Sequence, residues 1–331
     1  MGTMFTYTIK RLGQMLIVVW AAVTLMFALF FIIPGDPISL KSGEKSLPPE
    51  ILHNITVKYG LDQPTIVQYG RFWSHLFHGD LGYSYKNEKS VNTILHDGLA
   101  TSGRLLFWGA LFQLIIALTV GLTSAIKRGS IGDKLGTVFS VGIQGVPVFV
   151  SGLLAQYLFG VLPFSLHWDW ANFYKPWPTQ WWGVIPTEGW KGLVLPALVV
   201  AVVDAAYIAR MLRSSLLEVL RADYIRTAFA KGLSARRVWF HHALRNALIP
   251  VVTVYGTSLI AIFGVAVQTE KVFSLPGMGS TIADSALSQD SPVVLGLAIV
   301  VIAFGAIVNL IVDLSYALID PRIKVDGKAN H

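Results

Sequence analysis

Residues Ala209–Pro250 read ARMLRSSLLEVLRADYIRTAFAKGLSARRVWFHHALRNALIP. The stretch is polar and basic, yet it is patterned. Leu216, Leu217, Val219 and Leu220 continue a helix arriving from the apolar segment before it. Asp223 is placed to cap a new helix beginning near Tyr224, because a carboxylate accepts from the free N–H groups of a helix start. Gly232 ends that short helix, since glycine takes the left-handed geometry of a C-terminal cap at little cost. Ser234 is placed to cap the next helix. Pro250 falls early in the apolar segment that follows, where it favours a kink. The expected order is helix, cap, short helix, glycine stop, second helix. A short helix held out by two longer ones offers a ridge to a partner's groove. The plainer alternative is a basic loop resting on lipid headgroups, and composition alone does not choose.

The segments on either side are apolar, and so is the chain. Of its 331 residues 53% are hydrophobic and 14% charged, well below the quarter or so typical of soluble domains, and the mean hydropathy is +0.58. A span takes about 20 apolar residues. Six segments qualify, near 13–33, 105–126, 135–162, 193–211, 247–268 and 293–318. The first follows Lys10 and Arg11 as a secretory signal would. Its apolar core is too long for one, and Pro34-Gly-Asp-Pro follows without a small-residue cleavage pattern, so it reads as a retained helix. Cysteine is absent, which excludes disulfides and thiol chemistry.

The net charge of +7 is explained by loops kept on one side of a membrane rather than by nucleic acid. Lys10 and Arg11, the short loop with Lys127, Arg128 and Lys134, the basic stretch above, and the tail with Arg322, Lys324 and Lys328 all fall on one face of a six-span chain. By the positive-inside rule that face is cytoplasmic, and both termini lie there. The basic residues are also free to meet anionic lipid. On the other face, residues 34–103 form a loop too long for a hairpin. Within it Ile66, Tyr69, Trp73, Leu76 and Phe77 stand at helical spacing, as in a helix lying along the membrane surface. Trp168, Trp170, Trp177, Trp181, Trp182 and Trp190 gather between the third and fourth spans. They suit an interfacial aromatic belt or the lining of a translocation entrance.

With these residues in view, the chain resembles a known family. Tyr224-Ile-Arg-Thr-Ala-Phe-Ala-Lys-Gly-Leu-Ser, then Arg236-Arg-Val and His242-Ala-Leu-Arg-Asn-Ala-Leu-Ile-Pro-Val, resembles the signature (EAA) loop of ABC importer permeases. More narrowly it is similar to the oligopeptide/dipeptide/nickel branch, in its first permease subunit, the OppB/DppB type. Pro34-Gly-Asp-Pro, Tyr59-Gly-Leu-Asp-Gln-Pro, Gly79-Asp-Leu-Gly, Leu275-Pro-Gly-Met-Gly and Asp320-Pro-Arg match in order and spacing. The likeness covers nearly the whole chain. Arg226-Thr227-Ala228 stands where the general signature has Glu-Ala-Ala, and Arg245 where it has proline.

The resemblance implies an all-α membrane protein of six transmembrane helices with the type I importer permease fold and a long extracytoplasmic loop after the first helix. It implies three parts: 1–104 with the first helix and long loop, a five-helix core at 105–318 holding a coupling loop at 212–246, and a cytoplasmic tail at 319–331. The short helix becomes a coupling helix seated in an ATPase groove, with Asp223, Tyr224, Arg226, Thr227, Ala228, Lys231, Gly232 and Leu233 as its coupling residues. Ala228 and Gly232 would permit close packing, and Leu233 would be an apolar contact. The implied partners are a second, related permease, two ATP-binding subunits and an extracytoplasmic substrate-binding protein, in a bacterial or archaeal cytoplasmic membrane.

Other features bound the chemistry. No Gly-x-x-x-x-Gly-Lys-[Ser/Thr] sequence occurs, so the chain has no P-loop. It is expected to bind no cofactor, with ATP and Mg held by the partner ATPases. His241 and His242 are adjacent, hence about 100° apart on a helix, and no His-x-x-x-His or carboxylate set accompanies them, so no metal site is expected. Asp204 lies within the fourth span, and Asp313 late in the sixth near Asn309. Charges there are functional or paired: Asp204 either lines the translocation path, meeting a cationic group of the substrate, or bonds to a neighbouring helix. Rivals are an ion-coupled secondary transporter, an intramembrane enzyme and a channel. The first wants repeats and midplane ion ligands and the second an acid–base or nucleophile pair, and neither stands out. Assembly without an ATPase would mark the third. A wide, tolerant path suits di- and oligopeptides, while nickel or another small solute is the alternative within the same class.

Overall fold

Lipid offers no water to a backbone, so each N–H and C=O within a span must be satisfied inside the protein. The computed structural model meets this with helices. It describes residues 2–31, 63–161 apart from 85 and 88, 190–288 and 290–319. The sole strand-type pairing among them is an isolated bridge between Tyr83 and Ser90. In chain order the helices are α1 (Gly2–Phe31), α2 (Thr65–Phe77), α3 (Val91–Ile126), α4 (Ile131–Gln144) and α5 (Val148–Gln156). They continue with α6 (Val194–Val219), α7 (Asp223–Ala230), α8 (Ala235–Val272), α9 (Met278–Leu287) and α10 (Ser291–Ile319). Five of them, α1, α3, α6, α8 and α10, are long and apolar enough to cross a membrane. The sixth candidate is α4 with α5, which meet at a bend of 112°.

That bend corrects the continuous third span expected over 135–162. Pro147 has no N–H to donate and disfavours helical geometry at Val146. It sits instead as the extended residue ahead of α5, at φ −53° and ψ 142°. Pro250, by contrast, is accommodated within α8. The Pro34 motif, the tryptophans from Trp168 to Trp182, Asp320-Pro-Arg and the basic tail lie outside the described residues, and Trp190 opens a one-turn 3₁₀ segment, Trp190–Leu193.

The chain divides into two compact units, Met1–Thr101 with Pro276–Ile307 and Ser102–Leu275 with Val308–His331. In the first, the helix expected around Ile66–Phe77 is present as α2. Its stripe is divided. Phe72, Trp73 and Leu76 pack in an apolar cluster with Val23, Leu295 and Ile299, and Tyr69 meets Phe27 edge-on at 5.2 Å and shares a 2.8 Å hydrogen bond with Thr24. Ile66 and Phe77 remain exposed. The Gly79-Asp-Leu-Gly motif is a turn: Gly79 and Gly82 have φ of 74° and 89°, Gly82 N–H donates to Asp80 at 2.9 Å, and Leu81 N–H donates to Asn92 at 3.0 Å. Chiefly the Gly82 amide holds the Asp80 carboxyl below its ordinary range; burial opposes it, and the His75 contact adds to the lowering.

In the second unit α3, α6 and α8 enclose a core that includes Ala117, Ile208, Leu212, Leu216, Ala247 and Val251. Small residues let the helices approach. A Cβ at Gly121 would fall 2.8 Å from the Ala209 carbonyl oxygen and 3.0 Å from Leu212. Arg213 of α6 grips Asp133 of α4 in a two-bonded pair at 2.7 and 2.8 Å. Asp133 also accepts from Gly129 N–H at 2.9 Å while Ser130 caps α4. Substituting Gly121→Val should therefore lower the thermal midpoint of the detergent-solubilised protein, an overpacking cost of about 1–3 kcal/mol. Gly121→Ala should do so by less, and an unchanged midpoint for the valine variant would contradict the contact.

Candidate functional site

The short helix forms where the sequence places it, with one change at its start. Ala222, at φ −69° and ψ 146°, is the extended residue before α7, and Asp223 is already the first helical residue. The expected Asp223 cap is thus corrected: no side chain caps this end. In the first turn the Asp223 carboxylate still favours the positive end of the helix dipole, and it lies 3.5 Å from Arg226 on the exposed surface. Ser234 does occupy the capping position, at φ −62° and ψ 146°, but its hydroxyl makes no capping bond. Its carbonyl accepts from Val238 N–H at 3.0 Å.

The glycine stop is realised in full. Gly232 has φ of +77°. Its N–H donates to Phe229 C=O at 2.9 Å, and Leu233 N–H reaches back to Ala228 C=O at 3.3 Å. This pair of bonds is the Schellman arrangement that satisfies a helix's last carbonyls.

The helix has two faces. Ile225, 1% exposed, and Ala228 turn inward onto the core of α6 and α8, and Leu233 packs partly against the same core. Asp223, Tyr224, Arg226, Thr227, Phe229 and Lys231 are exposed. Tyr224 and Phe229, each 45% exposed, set two aromatic rings among these charges. Phe229 carries no signal in the sequence beyond its place in the motif. Asn246 of α8 donates to the Tyr224 hydroxyl at 2.8 Å and so ties α7 to the base of α8. That base is unusual: after Ala235–Arg237, residues Val238–Ala243 wind as a π-helix before the α-helix resumes at Leu244. His241 and His242 both fall in this stretch, ring centroids 5.4 Å apart and nearly perpendicular.

Asp204 is remote from this surface in sequence and heads a polar chain among the spans. Ser258 of α8 donates to Asp204 Oδ2 at 2.6 Å, and Gln113 of α3 donates to the Ser258 hydroxyl at 2.6 Å. Sequence reading finds the carboxylate but neither partner, because a single serine or glutamine in an apolar run gives no sign of what it meets across the bundle. A fully buried carboxylate escapes it altogether. Glu270, 1% exposed near the end of α8, accepts from Ser102 of α3 at 2.5 Å, and its backbone C=O takes Leu275 N–H at 2.7 Å.

Residues 117–325 match the family described as binding-protein-dependent transport system inner membrane component, and residues 4–105 match the corresponding N-terminal family. The chain is 36% identical over 336 residues to the di/tripeptide transport system permease protein DppB of Pseudomonas aeruginosa, covering 97% of this chain and 99% of the relative. It is 34% identical to the dipeptide permease DppB of Escherichia coli K12, with 97% and 99% covered. To the oligopeptide permease OppB of Haemophilus influenzae it is 35% identical, with 97% and 100% covered. Among solved structures, a chain of an amino acid ABC transporter crystallised with histidines covers 70% of this chain at 12% identity and a TM-score of 0.48, a likeness too slight to build on.

At Gly232 a β-branched side chain is strained by the left-handed backbone whatever space surrounds it. Gly232→Val should cost roughly 1–3 kcal/mol locally and raise amide hydrogen exchange across Asp223–Ala230 while exchange in α6 stays as it is. Unchanged exchange in α7 would show that the Schellman stop does not hold the helix.

Proposed function

This chain belongs to the binding-protein-dependent transport system inner membrane component family, the multi-pass permease subunits of ABC importers, and we propose that the cargo it passes is peptide. Its likeness to three peptide permeases over almost their whole length carries this reading. The chain supplies half of a translocation path, and a second, related permease supplies the rest. Two ATP-binding subunits sit on the cytoplasmic face and a substrate-binding protein delivers cargo on the other. ATP and Mg belong to the ATPases, a division consistent with a sequence that has no P-loop. Both termini are cytoplasmic, with the basic loops.

In this reading α7 is the coupling helix. Its outward residues, Asp223, Tyr224, Arg226, Thr227 and Lys231, together with Phe229, enter a groove of an ATPase. Ala228, Gly232 and Leu233 serve from behind: Ala228 and Leu233 seat the helix on the core, and Gly232 ends it in register. A push on α7 reaches the spans because Ile225 and Ala228 are buried against them and Asn246 is bonded to Tyr224. When the ATPases close on ATP, two such helices draw together and the path opens outward, and hydrolysis resets it.

Copurification from the native membrane tests the assembly. A second permease, ATP-binding subunits and a substrate-binding protein should come down with this chain, and peptides should stimulate ATP hydrolysis in lipid. A chain recovered alone that moves solute without ATP would end the reading. Phe229→Asp should cut ATPase recovery and peptide uptake by about tenfold or more, as loss of a central aromatic anchor does, with the chain's membrane level unchanged.

A further inference from the structure

Asp204 stands in α6 directly after the apolar run Val194-Leu-Pro-Ala-Leu-Val-Val-Ala-Val-Val. Its hydrogen bonds leave a definite remainder. A hydroxyl has one proton to give and lone pairs to receive. Ser258 gives its proton to Asp204 Oδ2 at 2.6 Å, so it must receive from Gln113, and Gln113 Nε2 supplies that bond at 2.6 Å. The direction of the carboxamide follows: Nε2 toward Ser258 and Oε1 away. Gln113 is fully buried and its Oε1 has no hydrogen-bond partner. Asp204 is half-buried. Its described hydrogen bonding ends at Oδ2, and the ion pairs described for this chain join other carboxylates, Asp80, Asp133 and Asp223.

A carboxylate among spans requires a cation or a proton, and a buried carbonyl oxygen requires a donor. Gln113 Oε1 is enclosed and turned away from Ser258, so the acceptor left to a visitor is Asp204, half-buried and bonded through Oδ2. An alkylammonium brings positive charge and several N–H groups to such an acceptor. Every peptide with a free amino end has such an ammonium. We propose that Asp204 is the point on the path that holds the terminal ammonium of a passing peptide, with Ser258 and Gln113 as positioning residues that fix Oδ2 and leave Oδ1 to the cargo. The inference rests on the peptide-permease reading.

The experiment uses the whole complex in proteoliposomes and one labelled tripeptide in two forms, free at the amino end or acetylated there, each delivered as a preformed complex with the binding protein. The wild-type complex should carry the free form faster. Asp204→Asn should lower uptake of the free form by about thirtyfold or more, the scale of losing one desolvated charge contact, and leave the acetylated form where it was, so that the preference disappears. Asp204→Glu should keep part of the preference. Ser258→Ala should raise the KM for the free form, and Ser258→Thr should restore it. Equal loss of both forms in Asp204→Asn, with the chain still in the membrane beside its partners, would mark a structural carboxylate or one paired with a cation of the second permease and would overturn the inference. So would a wild-type complex with no preference, or an Asp204→Asn complex that retains it. A wild-type complex that transports neither form would instead bring down the peptide reading, and this inference with it.

Discussion

The close approach of α3 to α6 at Gly121 is the constraint on which the second unit rests. Lipid tails are as apolar as leucine, so helices in a bilayer gain little by hiding apolar side chains from their surroundings. They associate where their backbones can come near, and at Gly121 nothing but hydrogen fits between α3 and the Ala209 carbonyl. That distance lets Gln113 on α3 reach Ser258 on α8, and Ser258 reach Asp204 on α6. The same bundle provides the floor into which Ile225 and Ala228 settle.

Much of this is legible in the sequence because the signals are local. A run of about 20 apolar residues announces a span whatever it packs against, and five of the six expected runs are single helices. Gly232 announces its own left-handed backbone for the same reason. The 112° break between α4 and α5 is local too, yet hydropathy conceals it: Gly145-Val-Pro147 is apolar enough to pass for span, and the interruption lies in proline's missing N–H rather than in its polarity. Asp223 misleads differently. Any Asp near a helix start can cap it, and the residue pattern does not distinguish Asp223 before the helix from Asp223 as its first residue, which is where it stands.

What is illegible is long-range. Ser258 meets Asp204 across 54 residues and Gln113 across 145. Arg213 finds Asp133 across 80, although the sequence counts Arg213 as one more basic residue in a basic loop. Ser102 and Glu270 lie 168 residues apart. Each pair is specified by helix packing, so a reading of neighbours along the chain sees one member and takes it for surface, for path or for nothing.

The π-helical stretch Val238–Ala243 has a consequence of its own. A π turn arises when a helix holds one residue more than its α-helical phase requires, and one residue is worth about 100° of rotation about the axis. This stretch stands between the short outward helix and the long span that follows, so it sets the angular phase of one against the other. Removing one histidine from 238–243 would leave an unbroken α-helix with its apolar residues kept, while turning Ala235–Arg237 through about a quarter of a circle against the span. The segment is a phase adjuster: the direction in which α7 faces is encoded in how many residues this stretch contains more than in which ones they are.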